Sequence, residues 1–152
     1  MINILKQFTK EQLKEYLEQK RTRLFLGQKP AMSYAIRKLT NKPPLGKGMS
    51  MQAIADKAWV DRSYLSKILE GLRHPKKYAW FRIGLAGGYD EQEMVHFMKA
   101  AGYVFDEENM VDVLLLYCMG QNMNLNEIAR FFLFFEDMGI DDEIYEEVFG
   151  KK

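Results

Sequence analysis

The segment 51–71, MQAIADKAWVDRSYLSKILEG, constrains the chain more than any other stretch, because two amphipathic helical patterns meet there across only three residues. The first runs from Met51 to Ala58, with Ile54 and Ala55 on one side and Gln52, Asp56 and Lys57 on the other, as an amphipathic helix of about two turns requires. The methyl of Ala55 lets a second helix cross close by, where a leucine would hold the two backbones apart. Trp59, Val60 and Asp61 read as the turn. The second helix is predicted to start near Arg62, with Asp61 accepting a hydrogen bond from its free amides and Ser63 also suited to its first turn. Leu65, Ile68 and Leu69 recur at three- and four-residue spacing as its buried seam, and Arg62, Ser63, Tyr64, Ser66 and Lys67 lie outside that seam. Gly71 is its natural stop.

These residues resemble the phage-repressor group of helix-turn-helix proteins, the Cro/CI or Xre family. The likeness rests on the small Ala55, the branched Val60, the apolar pair Leu65 and Ile68, and the exit segment Glu70, Gly71, Leu72, Arg73, His74, Pro75. It departs at Trp59, where family members usually have a glycine suited to positive φ. Either the tryptophan alters the turn or its ring caps the core. The resemblance implies an all-α fold, a phage-repressor-like helix-turn-helix bundle, here with a helical C-terminal extension. It also implies double-stranded DNA as partner, contacted along the backbone by the loop that follows the second helix.

At 152 residues the chain can form one domain with a proper core, or a small head with a helical extension. No apolar run approaches the roughly 20 residues that span a bilayer, so no membrane partner is expected. Lys6, Lys10 and Glu11 interrupt the N-terminal apolar residues before a signal-peptide core can form. The single Cys118 excludes an internal disulfide framework and fits a reducing cytoplasm. The net charge of +1 hides a division: residues 1–88 carry 18 Lys and Arg against 6 Asp and Glu, whereas residues 89–152 carry 4 against 15. Two readings follow. The halves are a nucleic-acid-binding head and an acidic partner-binding or dimerising tail, or they are two parts of one fold that attract each other.

Three regions are predicted: an N-terminal helical extension over 1–29, a DNA-binding domain over 30–104 and an acidic helical tail over 105–152. Thr9 and Gln12 make a capping box, after which Leu13, Tyr16, Leu17 and Leu24 continue an apolar stripe to about Leu26, broken by Gly27 and Pro30. A short helix over Ala31–Leu39 is read with Tyr34, Ala35 and Leu39 inward. NKPPLGKG, residues 41–48, reads as an extended loop whose Lys42 and Lys47 either reach phosphates or are simply solvated. Helices then follow over Lys76–Gly87, with Trp80, Ile83, Leu85 and Ala86 inward, and from Asp90, with Met94, Phe97, Met98 and Ala101 inward. The segment Ala101, Gly102, Tyr103 resembles the "AGY" exit of many Xre-type heads. In the tail, Met110–Met119, Asn126–Met138 and Asp141–Phe149 read as helices. Leu114, Leu115, Leu116 and Phe131, Phe132, Phe134, Phe135 exceed what single amphipathic stripes need, so their second neighbour is another subunit or the same chain.

The second motif helix fits a major groove, with base-reading positions at Asp61, Arg62, Ser63 and Lys67. The planar fork of Arg62 can pair with guanine O6 and N7, or instead bind a phosphate or Asp61. Ser63 bonds a base or phosphate, or caps its helix. Phosphate contacts are assigned to Gln52, Tyr64, Arg73, Lys76 and Lys77, with a thymine methyl contact or half-burial against the motif as the other readings for Tyr64. No Gly-rich phosphate loop and no Cys/His ligand spacing occurs, and two distant histidines with one cysteine make no catalytic or zinc site, so neither enzyme activity nor a cofactor or metal is expected. The chain is therefore read as a sequence-specific transcriptional regulator, a repressor of a bacterium or phage acting as a homodimer. The alternative is a protein-interaction module on the same scaffold, antitoxin-like or a phage inhibitor, binding its partner through the acidic tail or an apolar face of that tail.

Overall fold

A computed structural model of the chain describes residues 7–15 and 28–150, and no strand occurs among them. The fold is all-α: α1 (Gln28–Thr40), α2 (Met51–Ala58), α3 (Arg62–Leu69), α4 (Lys77–Ala86), α5 (Glu91–Ala100), α6 (Met110–Gly120), α7 (Leu125–Phe132), a 3-10 segment (Leu133–Met138) and α8 (Asp142–Phe149). Residues 10–15 are also helical and open on the predicted capping box, in which the Thr9 amide donates to Gln12 Oε1 at 2.9 Å and the Gln12 amide to Thr9 Oγ1 at 3.1 Å. The continuation of that stripe through Tyr16, Leu17 and Leu24 lies outside the described residues.

Helix α1 corrects two expectations. It starts at Gln28 rather than Ala31, so Pro30 falls in its first turn, where a missing N–H costs no intrahelical bond. Its inner stripe is Met32, Ala35, Ile36 and Leu39, spaced i, i+3, i+4, i+7, which turns Tyr34 outward at 62% exposure under the Lys38 ammonium. The loop after it is not extended either. It folds back on the helix end, with the Lys47, Gly48 and Met49 amides donating to Lys38, Asn41 and Leu39 carbonyls at 3.0, 2.7 and 2.9 Å. Gly46 permits this, since a Cβ there would sit 2.5 Å from the Asn41 carbonyl oxygen.

Helix α4 is the hub, packed against α2, α5, α7 and α8. Trp80, Phe81 and Ile83 are fully buried, and the Trp80 indole stacks on Phe97 at 4.1 Å while its N–H donates to the Phe97 carbonyl at 2.7 Å. Helix α5 opens on a capping box between Asp90 and Glu93 and buries Met94, Phe97 and Met98. The helix predicted over Asn126–Met138 is α-helical only to Phe132 and then tightens to 3-10, closed by Gly139 at φ 103°.

One hydrophobic core runs from Met32 to Phe149, joining Ile54, Leu65 and Trp80 to Leu115, Phe132, Val148 and Phe149. Two buried charged residues fasten the tail helices to the rest. Arg82 donates from Nε to the Ala58 carbonyl at 2.9 Å and from Nη1 to the Val148 carbonyl at 2.5 Å. Asp112, wholly buried on α6, accepts from Lys77 Nζ at 2.6 Å, Tyr78 OH at 3.0 Å and the Asp106 amide at 2.8 Å. Neither is left with an unsatisfied polar atom, the condition under which charge is tolerated in a core.

Candidate nucleic-acid interface

Helix α2 begins at Ser50, whose hydroxyl accepts from the Ala53 amide at 3.0 Å. Gln52 lies in its first turn, where its side chain donates from Nε2 to Asp56 Oδ1 at 2.8 Å. Ile54, Ala55 and Ala58 are buried, as the sequence pattern requires. The turn that follows is made by Trp59 at φ 59°, ψ 42°, its amide donating to the Ala55 carbonyl. Trp59 thus adopts the left-handed conformation that a glycine takes readily. Its ring, 40% exposed, leans on Phe149 of α8 at 6.2 Å, a contact available because the tail packs under the motif.

Asp61 occupies the N-cap of α3 but its side chain makes no capping bond, contrary to expectation. It is exposed, as are Arg62, Ser63 and Lys67, and none of the four has a side-chain hydrogen bond or ion pair to the described residues. Arg62 in particular is not paired with Asp61. The buried Leu65 and Ile68 hold the opposite side of the helix in the core, so these polar groups project together from one surface. Ser66 and Glu70 fall on the same side by helical spacing, Ser66 half-buried and Glu70 exposed. The helix is clamped at its far end by Ser33 of α1, whose hydroxyl donates to the Leu69 carbonyl at 2.7 Å.

Residues 45–93 match the family model for the helix-turn-helix. They form a helix-turn-helix domain of the Cro/CI, or Xre, type. No curated protein and no solved structure matches the chain. The family match covers the turn, the exposed face of α3 and the loop behind it, and this is a family of DNA-binding regulators.

Within this helix-turn-helix domain the other predicted contacts divide. Arg73 and Lys76 are exposed on the loop after α3. That loop is held in place by Tyr103 of the AGY segment, whose hydroxyl donates to the Pro75 carbonyl at 2.7 Å and whose ring meets His74 edge-on. Tyr64 is half-buried beside the loop; burial pushes its phenol up, with Arg73 and Arg82 pulling the other way. Lys77 differs from its neighbours, because its ammonium is bound to Asp112 and its charge is neutralised inside the protein. Lys47 is likewise engaged, donating to the Gly87 carbonyl at 2.7 Å over the Tyr89 ring. Sequence reasoning missed Ser33, Arg82 and Asp112, whose roles depend on partners 24 to 66 residues away. Ser50 was legible as a serine one residue before a helix.

No group of three His, Cys, Asp or Glu among the described residues is arranged to hold a metal ion. No described helix is long and apolar enough to cross a membrane. Cys118 is buried, and burial pushes its thiol up to about 11.

Proposed function

We propose that the chain is a sequence-specific transcriptional repressor that works in the cytoplasm as a homodimer and reads the major groove with α3. The observation carrying this reading is the set of four exposed, unpartnered side chains on one face of that helix, Asp61, Arg62, Ser63 and Lys67, within the matched helix-turn-helix. Arg62 contacts guanine O6 and N7 by its planar fork, and Ser63 and Lys67 reach adjacent base edges or phosphates. Asp61, freed from capping, accepts from a cytosine amino group or rejects bases that offer only acceptors. Gln52 at the α2 N-terminus, Tyr64, Arg73 and Lys76 bind phosphates and set the register, while Lys77 supports the loop through Asp112. Residues 30–104 are the reading head and residues 105–152 the dimerising tail. Two heads would read half-sites about one helical turn, roughly 34 Å, apart.

Selection from a random duplex library, followed by binding measurements on the recovered site, tests this. An inverted repeat should emerge, and Arg62→Ala should weaken binding to it by about 1 to 3 kcal/mol while leaving random duplex binding nearly unchanged. Lys76→Ala should weaken both alike and flatten the salt dependence by about one unit of log–log slope. Uniform affinity for all duplexes, indifferent to Arg62→Ala, would overturn the proposal. A chain that ignores DNA but binds one protein would be the interaction module instead.

A further inference from the structure

We infer that the exposed surface formed by Arg130, Leu133, Phe134, Glu136 and Asp137 is a self-complementary interface for a second copy of this chain, a proposal that rests on the homodimeric reading above. Helix α7 and the 3-10 segment run on without a break, and their inner side is given over to Leu125, Ile128, Ala129 and Phe132. The outer side carries Leu133 at 53% and Phe134 at 81% exposure, unlike Phe131 and Phe135, whose rings meet each other and Tyr117. Phe134 has no ring contact among the described residues, so the tail's surplus of aromatic surface is only partly absorbed by the chain's own core.

The charges around that apolar pair indicate what covers it. Arg130 is the only Lys or Arg between residues 100 and 150, a stretch rich in Asp and Glu, and it makes no ion pair with the described residues. It flanks the apolar pair on its N-terminal side, and Glu136 and Asp137 flank it on the C-terminal side. A half-turn about an axis between Leu133 and Phe134 sets Arg130 against Asp137 of the partner subunit and Phe134 against Leu133 of the partner subunit. The same pairs then form in reverse, as an isologous interface demands. A nucleic acid would be repelled by the surrounding acids, and a basic peptide would meet the like charge of Arg130 at one flank of its contact. A stable pair buries about 800 Å² a side, more than five side chains supply. The exposed Met110, Val113 and Tyr117, spaced i, i+3, i+7 on α6, extend the surface through the Tyr117–Phe131 stack.

Sedimentation equilibrium on the full chain tests this with Phe134→Glu, Arg130→Asp, Asp137→Arg and the double charge reversal. The wild type should be a dimer, each single change should raise its dissociation constant by at least about tenfold, and the double reversal should restore it. Circular dichroism should show all variants folded, since every altered side chain is exposed. A monomeric wild type, or a dimer insensitive to these changes, would overturn the interface. Binding to a single half-site, measured in parallel, separates this from the DNA-reading proposal. It should persist in the monomeric variants, and its absence from the wild type too, while the wild type still dimerises and the variants do not, would sink the DNA reading alone.

Discussion

Trp59 holds a backbone conformation in which a Cβ is crowded by the adjoining peptide, at a cost of roughly 1 kcal/mol or more. The residue is kept there by the helices on either side and by its contact with Phe149. Comparing Trp59→Gly with Trp59→Ala isolates the backbone term, because both remove the ring. The glycine variant should be more stable by about 1 kcal/mol in chemical denaturation, and equal stabilities would mean the turn is not left-handed. Cys118 yields a prediction of pH dependence. Its folded value of about 11 lies above the ordinary 9.0, so burial favours the neutral thiol. The stability this represents is fully present below about pH 9 and is lost as pH rises through about 11, and Tyr64, Tyr89 and Tyr103, also raised by burial, act in the same direction. Denaturation midpoints should therefore fall on the alkaline side, more steeply in the wild type than in Cys118→Ala.

At the scale of elements, two aspartates at helix starts have opposite consequences. Asp90 caps α5 through the Glu93 amide at 2.8 Å, whereas Asp61 caps nothing. Asp90→Ala should cost about 1 kcal/mol of stability, and Asp61→Ala should stay within about 0.5 kcal/mol while changing DNA preference. The joint between α4 and α6 is more demanding. Removing the Asp112 carboxylate leaves Lys77 and Tyr78 without their buried partner, so Asp112→Ala should cost about 3 kcal/mol by thermal or chemical melt, and Asp112→Asn less. Periodicity located these helices well because a stripe at i, i+3, i+4 is a local signal. It misassigned Tyr34 because an aromatic beside Ala35 fits an inward stripe as readily as Met32 and Ile36 do, and only the neighbouring helices choose between them.

For the whole molecule, the halves of opposite charge share one core but not a general ionic attraction. Lys77–Asp112 is the ion pair joining them among the described residues, and most tail acids face solvent. Three of the basic residues counted toward the head, Lys47, Lys77 and Arg82, are bound to groups within the protein. The free positive charge of the head is correspondingly smaller than the sequence tally implies. Because Leu115, Phe132 and Val148 complete the core around α4, a fragment ending at residue 104 should lose cooperative unfolding, whereas the full chain should melt in one transition. Two resolved transitions in calorimetry of the full chain would contradict that.

The sequence by itself determined the two helices of the motif, the tight turn between them and the likeness of residues 45–93 to a helix-turn-helix domain, because these rest on contacts within some twenty residues and on spacings that a helix imposes. Tertiary structure alone decided that Trp59 could stand in for glycine and that Arg82 and Asp112 would be buried. It also withdrew Lys77 from the basic surface and left Phe134 bare beside Arg130. Each of those outcomes depends on a partner far along the chain, and a side chain's pattern of neighbours in sequence carries no record of which distant backbone or carboxylate will come to meet it.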